Sequence, residues 1–318
     1  MPKALCVGVY NPKNICQASP MCGDQVFAKG LEKNGYEVTR FDYRATQKPN
    51  EDLITITKNI KYDLFWFGKA ERITFETLVQ LRKEFPNAIF CKWGADVRDE
   101  PPKFDIEQAK LMDFFFGTYG GEYLKKYKSD TNTVASIVTF TDSDFYKKSR
   151  YKKEWSSNVL WTGRRGFGDN NIRNKVIDYL LQRKDTKVYG LNEWLYYPEY
   201  LYAIENTKIG IGVNSFNRPK YSSDRLGSFI TLGTFYLCHY FEGIEEIFER
   251  GTTLDWFMSV DELNEKIKFY LSHDSLRQEI AKNSQNFILK YFDYKPLVQN
   301  LLEIINTGKS NFSWTEIY

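Results

Sequence analysis

The stretch VLWTGRRGFGDNNIRNKVIDYLLQRKDTKVYG, residues 159–190, contains a complete strand–helix–strand pattern. Val159–Gly163 and Thr186–Gly190 are short apolar runs that end at a glycine. Between them, the apolar residues of Ile172–Leu181 recur at the spacing of an amphipathic helix. Two strands joined through a helix usually lie side by side in parallel. The stretch therefore predicts a parallel α/β sheet in the second half of the chain.

The same alternation continues in both directions. Downstream, strands predicted at Lys208–Val213 and Thr234–Cys238 alternate with helices near Glu199–Asn206 and Ser223–Leu232. Upstream, short apolar runs separated by segments of helical character predict strands at Ala4–Tyr10, Tyr36–Tyr43, Asp63–Gly68, Ala88–Trp93, Phe114–Gly117 and Val134–Phe140. A polar segment at 141–157 separates the two series. The predicted fold class is α/β, with two Rossmann-like, doubly wound domains that face a cleft.

Composition excludes several classes of protein. The 318 residues include 44 Lys and Arg against 41 Asp and Glu, so the net charge of +3 argues against a polybasic nucleic-acid coat or an acidic tail. The five cysteines contain no CxxC pair, which argues against a disulfide framework. We expect a cytoplasmic protein with no transmembrane segment. Aromatic residues reach 17%, and we expect some of their rings to line the cleft.

A glycine-rich turn with two arginines follows the strand predicted at Val159–Gly163. Gly163, Arg164 and Arg165 stand between this strand and the next helix. Backbone N–H groups at a helix N-terminus and guanidinium groups both donate hydrogen bonds to a diphosphate. Because the turn has neither a GxGxxG nor a Walker A pattern, solvated arginines in a simple turn are the alternative.

A second candidate segment, Asn217–Ser228, also lies between a predicted strand and a predicted helix. Its cations and hydroxyl groups suit the phosphates and sugar of a nucleotide-linked ligand. Alternatively, a serine caps the helix and the arginine is a surface charge. The candidate donor-binding residues here are Lys220, Ser222, Ser223, Arg225 and Ser228.

Carboxylates that follow predicted strands are candidates for acid–base chemistry. Asp96 follows a glycine at the end of the strand Ala88–Trp93, where it could act as a general base toward an acceptor hydroxyl. An aspartate in a turn is the alternative. Asp24 stands at the head of the first predicted helix, and a helix cap is its simpler explanation.

Metal and nucleic-acid sites have weaker support in the sequence. The two histidines, His239 and His273, have no partner at metal-ligand spacing, and Asp142-Ser143-Asp144 lies in the predicted interdomain segment. We therefore expect no metal site. The run Tyr146–Lys153 combines cations with aromatic rings, which suits a polyanion, but a solvated linker is the simpler interpretation.

Residues 159–305 resemble the donor domain of nucleotide-sugar glycosyltransferases with the GT-B fold, particularly the group-one and spore-maturation-like branch. VLWTGRRGFGDNNIRNKVIDYLL is similar to the opening of that domain, and SDRLGSFITLGTFYLC to the family pattern Arg-x-Phe-Glu-x-x-x-x-Gly followed by a strand. Residues 242–294 resemble its closing helices. In the first half, WGADV resembles a Gly-x-Asp turn of some acceptor domains.

This resemblance implies an acceptor-side domain over 1–150, a donor domain over 151–295, and a helix over 296–318 that crosses back to the first domain. Arg164, Arg165 and Arg225 would hold the donor diphosphate without a metal or other cofactor, and Gly163 would let the backbone approach it. Asp96 would be the catalytic base.

Two positions depart from the family pattern. The family glutamate falls on Ser228, and no histidine precedes Gly94. These departures argue against ribose recognition by a carboxylate at position 228. They also leave open whether the transfer retains or inverts the configuration of the sugar.

The predicted function is sugar transfer from a nucleotide diphosphate sugar, such as a UDP-sugar, to an acceptor hydroxyl. The acceptor is either a glycan or glycolipid, or a hydroxymethylated DNA base as in some phage enzymes of this fold. The alternative is a non-catalytic nucleotide-sugar binding protein. A nucleotide-sugar 2-epimerase is less favoured, because it would need more acid–base groups around the sugar.

Overall fold

The computed structural model describes residues 1–10, 23–95, 97–147, 152–166 and 171–318. Within these residues the chain forms two compact units. The first contains residues 1–10, 23–140 and 294–318, and the second the described residues between 141 and 293. The units therefore change after Phe140 and before Tyr294, instead of at residues 150 and 295. The reason is local, because the Thr141 amide donates to the Phe292 carbonyl at 2.9 Å and fastens this segment to the second unit.

The first unit contains a six-stranded sheet of order β2-β1-β3-β4-β5-β6, in which every neighbouring pair is parallel. Its strands are β1 (Lys3–Gly8), β2 (Glu37–Asp42), β3 (Leu64–Phe67), β4 (Ile89–Gly94), β5 (Phe114–Gly117) and β6 (Thr133–Ser136). Its first helices are α1 (Gly23–Lys33), α2 (Pro49–Thr57), α3 (Phe75–Glu84), α4 (Lys103–Ala109) and α5 (Gly121–Lys125).

The second unit contains a five-stranded parallel sheet of order β11-β10-β9-β7-β8. Its strands are β7 (Ser157–Thr162), β8 (Thr186–Tyr189), β9 (Thr207–Gly212), β10 (Phe235–His239) and β11 (Asp255–Phe257). Its helices are α6 (Asn171–Leu181), α7 (Glu199–Glu205), α8 (Asp224–Thr231), α9 (Ile244–Ile247), α10 (Val260–Ser272) and α11 (Asp274–Tyr291). The chain then returns to the first unit as α12 (Tyr294–Thr307).

The predicted α/β class with two doubly wound parallel sheets is confirmed. In each sheet the strand order reverses next to the first strand, between β1 and β3 and between β7 and β9. At such a reversal, the connections from the two strands leave toward opposite faces, and a crevice opens at the carboxyl ends. The loops after β7 and β9 are therefore the places to look for a ligand site in the second unit.

Aromatic side chains fill the core of the first unit. In β3, Phe65 and Phe67 face one layer of helices, and Trp66 faces the other. The Phe65 ring stacks on Phe90 with 4.5 Å between centroids, and Phe115 stacks on Tyr127 at 4.1 Å. Many of the aromatic side chains of this unit therefore pack in its core, and the prediction that some rings line a cleft stays a prediction.

Two Ser-x-x-Glu/Gln patterns in the sequence, Ser259–Glu262 and Ser275–Gln278, predict capping boxes at helix starts, and the second prediction is wrong. The Ser259 hydroxyl accepts the Glu262 amide at the start of α10, as predicted. At the second position the helix starts earlier, at Asp274, so Ser275 lies inside the first turn. His273, the residue before this helix, makes no capping hydrogen bond with its side chain, and the Asp274 carboxylate pairs with Arg277 at 2.6 Å.

The last residues pair with the edge of β6 through an antiparallel bridge that the sequence pattern did not predict. Tyr318 exchanges two backbone hydrogen bonds with Val134 of β6, at 2.8 and 3.1 Å, so this pairing is antiparallel. The Glu316 carboxylate accepts the Gly121 amide at 2.6 Å and the Tyr318 hydroxyl at 2.8 Å. The tail thus covers the β6 edge and holds the start of α5.

We predict that Glu316→Ala lowers the free energy of unfolding by about 1–3 kcal/mol, because it leaves the Gly121 amide and the Tyr318 hydroxyl without their acceptor. Urea denaturation followed by circular dichroism measures this change. Asp130→Ala, at an exposed loop position, is the control and should change the stability by less than about 0.5 kcal/mol. Equal stabilities of the two variants would contradict the tail's role.

Candidate functional site

Two glycines bring the carboxyl ends of β7 and β8 into contact. Gly163 and Gly190 have φ angles of +135° and +94°, in the region that disfavours other residues. A Cβ added to Gly190 would lie 2.7 Å from backbone atoms of Gly163. The Gly163 amide also donates to the Tyr189 carbonyl at 2.9 Å. The predicted turn at Gly163 is therefore a close backbone approach, and Gly190 is its partner.

Two arginine side chains converge beside Gly163. The point that a Cβ of Gly163 would occupy is 3.0 Å from Nη2 of Arg173 and 3.0 Å from Nη1 of Arg225. Arg173 comes from α6 and Arg225 from α8, and both donate to the Val213 carbonyl that follows β9. Arg173 also donates to the Arg164 carbonyl, from Nη2 at 2.7 Å and from Nε at 3.0 Å. The pair thus lies at the strand-order reversal between β7 and β9.

The electrostatics of this pair favour an anion. Burial, together with the charge of Arg225, lowers the pKa of Arg173 to about 9. Burial lowers the pKa of Arg225 as well, but the nearby Tyr236 and Asp224 outweigh burial, so the net shift of this pKa is upward. Among the described residues, no carboxylate forms an ion pair with Arg225, and its buried Nε has no hydrogen-bond partner. Two like charges held together in the protein interior are unfavourable unless an anion compensates them. A diphosphate has the charge and the oxygen acceptors to do so.

The loop before α8 is fastened to the end of β9. The Asn214 side chain accepts the Ser223 amide at 3.0 Å and donates to the Tyr221 carbonyl at 2.6 Å. Ser223 is the residue before α8, and its buried hydroxyl has no hydrogen-bond partner in the part of the chain that the structure describes. Ser222 is buried, and its hydroxyl donates to the Ser223 carbonyl at 3.3 Å. The Ser223 hydroxyl, two residues before Arg225, is therefore a second buried polar group near the start of α8 without a hydrogen-bond partner, in addition to Nε of Arg225.

Other predicted donor-binding residues have partners of their own. Arg165 pairs with Asp178 at 2.6 Å on the surface, and the buried Lys220 ammonium pairs with Glu246 at 2.6 Å. The Ser228 hydroxyl is buried in α8, where it donates to the Arg225 carbonyl at 3.2 Å.

Ser228 and Arg164 also contact aromatic side chains. The Ser228 hydroxyl is hydrogen-bonded to the Tyr200 hydroxyl at 3.3 Å. Burial raises the pKa of Tyr200 to about 12, so this hydroxyl keeps its proton. The exposed Arg164 guanidinium lies 4.8 Å from the ring centroid of Trp194.

The sequence analysis missed Arg173, although a signal was present. Val176, Ile177 and Leu180 form the buried face of α6, and Arg173 precedes them at the spacing of that same face. A charged residue on the apolar stripe of a helix is costly to bury, so it indicates either a buried partner or a ligand.

In the first unit, the predicted base Asp96 lies outside the described residues, so its role stays a prediction. Asp24, the other carboxylate considered for acid–base chemistry, is buried where the strand order reverses between β1 and β3. Its carboxylate accepts the Val9 amide at 2.8 Å and the Trp93 indole N–H at 2.9 Å. Asp24 therefore links the loop after β1 to β4, the strand that leads to Asp96.

Burial raises the pKa of Asp24 to about 6, although its hydrogen bonds and the nearby Lys92 lower it in part. Lys92 is also buried; it donates to the Gly68 and Lys69 carbonyls and lies 3.3 Å from Asp105. Burial lowers the pKa of this lysine, and Asp105 opposes the shift. The carboxyl edge of the first sheet thus carries charges that are held by specific contacts.

We predict that the free energy of unfolding falls by about 2 kcal/mol from Asp24 alone as the pH rises from about 4 to about 6. In this range the folded state holds the Asp24 proton, and the unfolded state releases it. Asp24→Asn should remove this component from the pH profile of stability, measured by urea denaturation at each pH. Asp130→Asn, at an exposed site, should leave it in place; a profile unchanged in Asp24→Asn would contradict the assignment.

The remaining predicted segments have structural contacts. The buried Asp142 accepts the amides of Asp144 and Phe145, so it fixes a turn. Of the run 146–153, residues 148–151 lie outside the described residues, whereas Tyr146 is buried and the Lys152 ammonium lies 3.5 Å from the Tyr202 ring centroid. The described residues contain no group of three or more His, Cys, Asp and Glu side chains placed to hold a metal ion.

His239 ends β10, where burial lowers its pKa, and His273 lies on the surface between α10 and α11. In the described parts of the chain, no helix is both long and apolar enough to cross a membrane.

Comparison with known protein families gives one match. Residues 171–303 match the family model described as glycosyl transferase-like. This segment contains α6 with Arg173 and α8 with Arg225. No curated protein matches the sequence.

Several solved structures are similar to the whole chain. Sucrose-phosphate synthase from Thermosynechococcus elongatus is 12% identical with a TM-score of 0.66, over 96% of this chain and 98% of that one. HepE from Anabaena, solved with UDP and glucose, is 11% identical with a TM-score of 0.63, over 96% and 100%. An alpha-glucosyltransferase solved with UDP-glucose and DNA containing an abasic site is 13% identical with a TM-score of 0.65, over 96% and 99%. At these identities the likeness concerns the fold.

Proposed function

We propose that this protein transfers a sugar from a nucleoside diphosphate sugar to an acceptor hydroxyl, because residues 171–303 match a glycosyl transferase-like family model and the fold is similar to that of a solved alpha-glucosyltransferase. The observation that carries the proposal is the convergence of Arg173 and Arg225 beside Gly163. This site accepts the diphosphate of the donor. Gly163 leaves the space that a side chain would otherwise take.

The two guanidinium groups also act on the reaction. When the glycosidic bond to the diphosphate breaks, negative charge grows on the diphosphate oxygens. Donors that are already in place stabilise this charge in the transition state without reorganisation. Arg173 is held by the carbonyls of Arg164 and Val213, so its position is fixed before a ligand binds. We propose that these two cations make the departure of the nucleoside diphosphate independent of a metal ion.

Asp96 is the proposed base for the acceptor hydroxyl. The strand that leads to it is held by the contact between Trp93 and Asp24. UDP-sugars are the first donors to test, because HepE and the alpha-glucosyltransferase were solved with UDP or UDP-glucose. The proposed acceptors are a glycan or glycolipid, or a hydroxymethylated base in duplex DNA, since one neighbour was solved with DNA.

We predict that Arg225→Ala weakens UDP binding by at least about tenfold, because a charge-assisted contact to the diphosphate is lost. Isothermal titration calorimetry with UDP measures this effect. The folding stability should not fall, since the substitution also removes the repulsion between Arg225 and Arg173. Arg225→Lys should retain part of the affinity, because it keeps the charge and loses the planar fork.

The matched control is Arg183→Ala. Arg183 follows α6, at the opposite edge of the sheet from Gly163, and it pairs with Asp185 at 2.9 Å. This variant should bind UDP as the wild-type protein does. Unchanged UDP affinity in Arg225→Ala, or an equal loss in both variants, would refute the diphosphate site.

We predict that Asp96→Asn lowers the rate of sugar transfer by about 100-fold or more and leaves UDP affinity unchanged, because a general base contributes to the rate and not to donor binding. The assay follows UDP release from UDP-glucose with each acceptor class, and transfer to DNA should weaken steeply with salt. Asp99→Asn, three residues further along the sequence at an exposed position, is the control. If the protein binds the donor but releases no UDP from it, either with any acceptor or by hydrolysis, it is instead a non-catalytic binding protein.

A further inference from the structure

Exposed aromatic side chains occupy the loop between β8 and α7. Trp194 is 38% exposed, Tyr196 47% and Tyr197 51%. Large aromatic side chains favour burial, so several exposed rings in one short loop require an explanation. Their neighbour Leu195 is buried, and it anchors the loop on the second unit.

This loop is fixed to the diphosphate site at its first residue. Gly190 touches the backbone of Gly163, and its amide donates to the Glu193 carbonyl at 2.7 Å. The loop therefore turns back at once and brings Trp194 next to the segment that follows Gly163. At its other end, the Tyr200 amide donates to the Tyr196 carbonyl at 2.9 Å, where α7 begins.

Arg164 joins the two segments. It follows Gly163 directly, and its guanidinium lies 4.8 Å from the ring centroid of Trp194. A cation over the face of an indole is favourable even at an exposed site, so this contact orients the ring. Trp194 keeps more than a third of its surface open to a ligand in this orientation.

We propose that Trp194 is the stacking platform for the nucleobase of the donor, and that Arg164 holds its indole in place. The inference rests on the proposed function, because it takes the diphosphate to lie at Arg173 and Arg225. A nucleoside diphosphate has one planar aromatic part, the base, and it lies a single ribose away from the diphosphate. An indole offers a base a large flat surface at little cost in conformational entropy. Such stacking is tolerant of base identity, so hydrogen bonds elsewhere choose among the bases.

The test separates the base from the diphosphate with two probes, UDP and inorganic pyrophosphate, in isothermal titration calorimetry and thermal-shift measurements on the full chain. Trp194→Ala should weaken UDP binding by about tenfold, the usual effect of losing one stacked base, and leave pyrophosphate binding unchanged. Trp194→Phe, which keeps a flat ring, should recover most of the UDP affinity. Arg225→Ala should weaken the binding of both probes.

Tyr196→Ala is the matched control, because it removes an exposed ring from the same loop, and it should bind UDP as the wild-type protein does. Unchanged UDP affinity in Trp194→Ala, or an equal loss of pyrophosphate affinity, would overturn the platform and leave the proposed function intact. A wild-type protein that binds neither UDP nor any other nucleoside diphosphate would refute the proposed function and this inference together.

Discussion

Two guanidinium groups that share one carbonyl acceptor are the constraint on which the functional interpretation depends. Arg173 and Arg225 both donate to the Val213 carbonyl, and a guanidinium nitrogen of each lies 3.0 Å from the point that a Cβ of Gly163 would occupy. Burial, together with the charge of Arg225, lowers the pKa of Arg173, so the charged form of Arg173 is costly to hold at this position. Hydrogen bonds to fixed carbonyls offset part of this free-energy cost. A bound anion would offset the rest, so the cost favours anion binding.

The sheet topology supplies the place for this pair. The strand order reverses between β7 and β9, so α6 and α8 approach the carboxyl edge of the sheet from different connections. Each helix contributes one arginine, and the glycines at the ends of β7 and β8 allow the two backbones to approach closely beside this pair. The first sheet has the same reversal but an opposite charge there, because Asp24 is held by the loop after β1 and by Trp93. One topology thus carries a cationic site in one unit and a buried carboxylate in the other.

Much of the fold follows from the sequence because the parallel strands are short apolar runs with glycine or polar residues at their ends. Such runs identified ten of the strands to within a few residues, from β1 at Lys3–Gly8 to β10 at Phe235–His239. The elements that were missed are short or at an edge: β11 has three residues, and the Tyr318 tail pairs with β6 only across the fold. Edge pairing depends on which surface remains uncovered, and local periodicity does not contain that information.

The sequence by itself determined the α/β class and the glycosyltransferase resemblance, and it identified Gly163 and Arg225 as candidate site residues, because strand periodicity and the residues that follow a strand are local properties. Only the tertiary structure decided which cations meet. Arg173 and Arg225 are some fifty residues apart in sequence and lie together only in the folded chain. Arg165 forms an ion pair with Asp178, and Lys220 forms one with Glu246. The sequence shows which side chains carry a charge. Whether such a charge is paired with an opposite charge depends on groups that lie near it only in the folded protein.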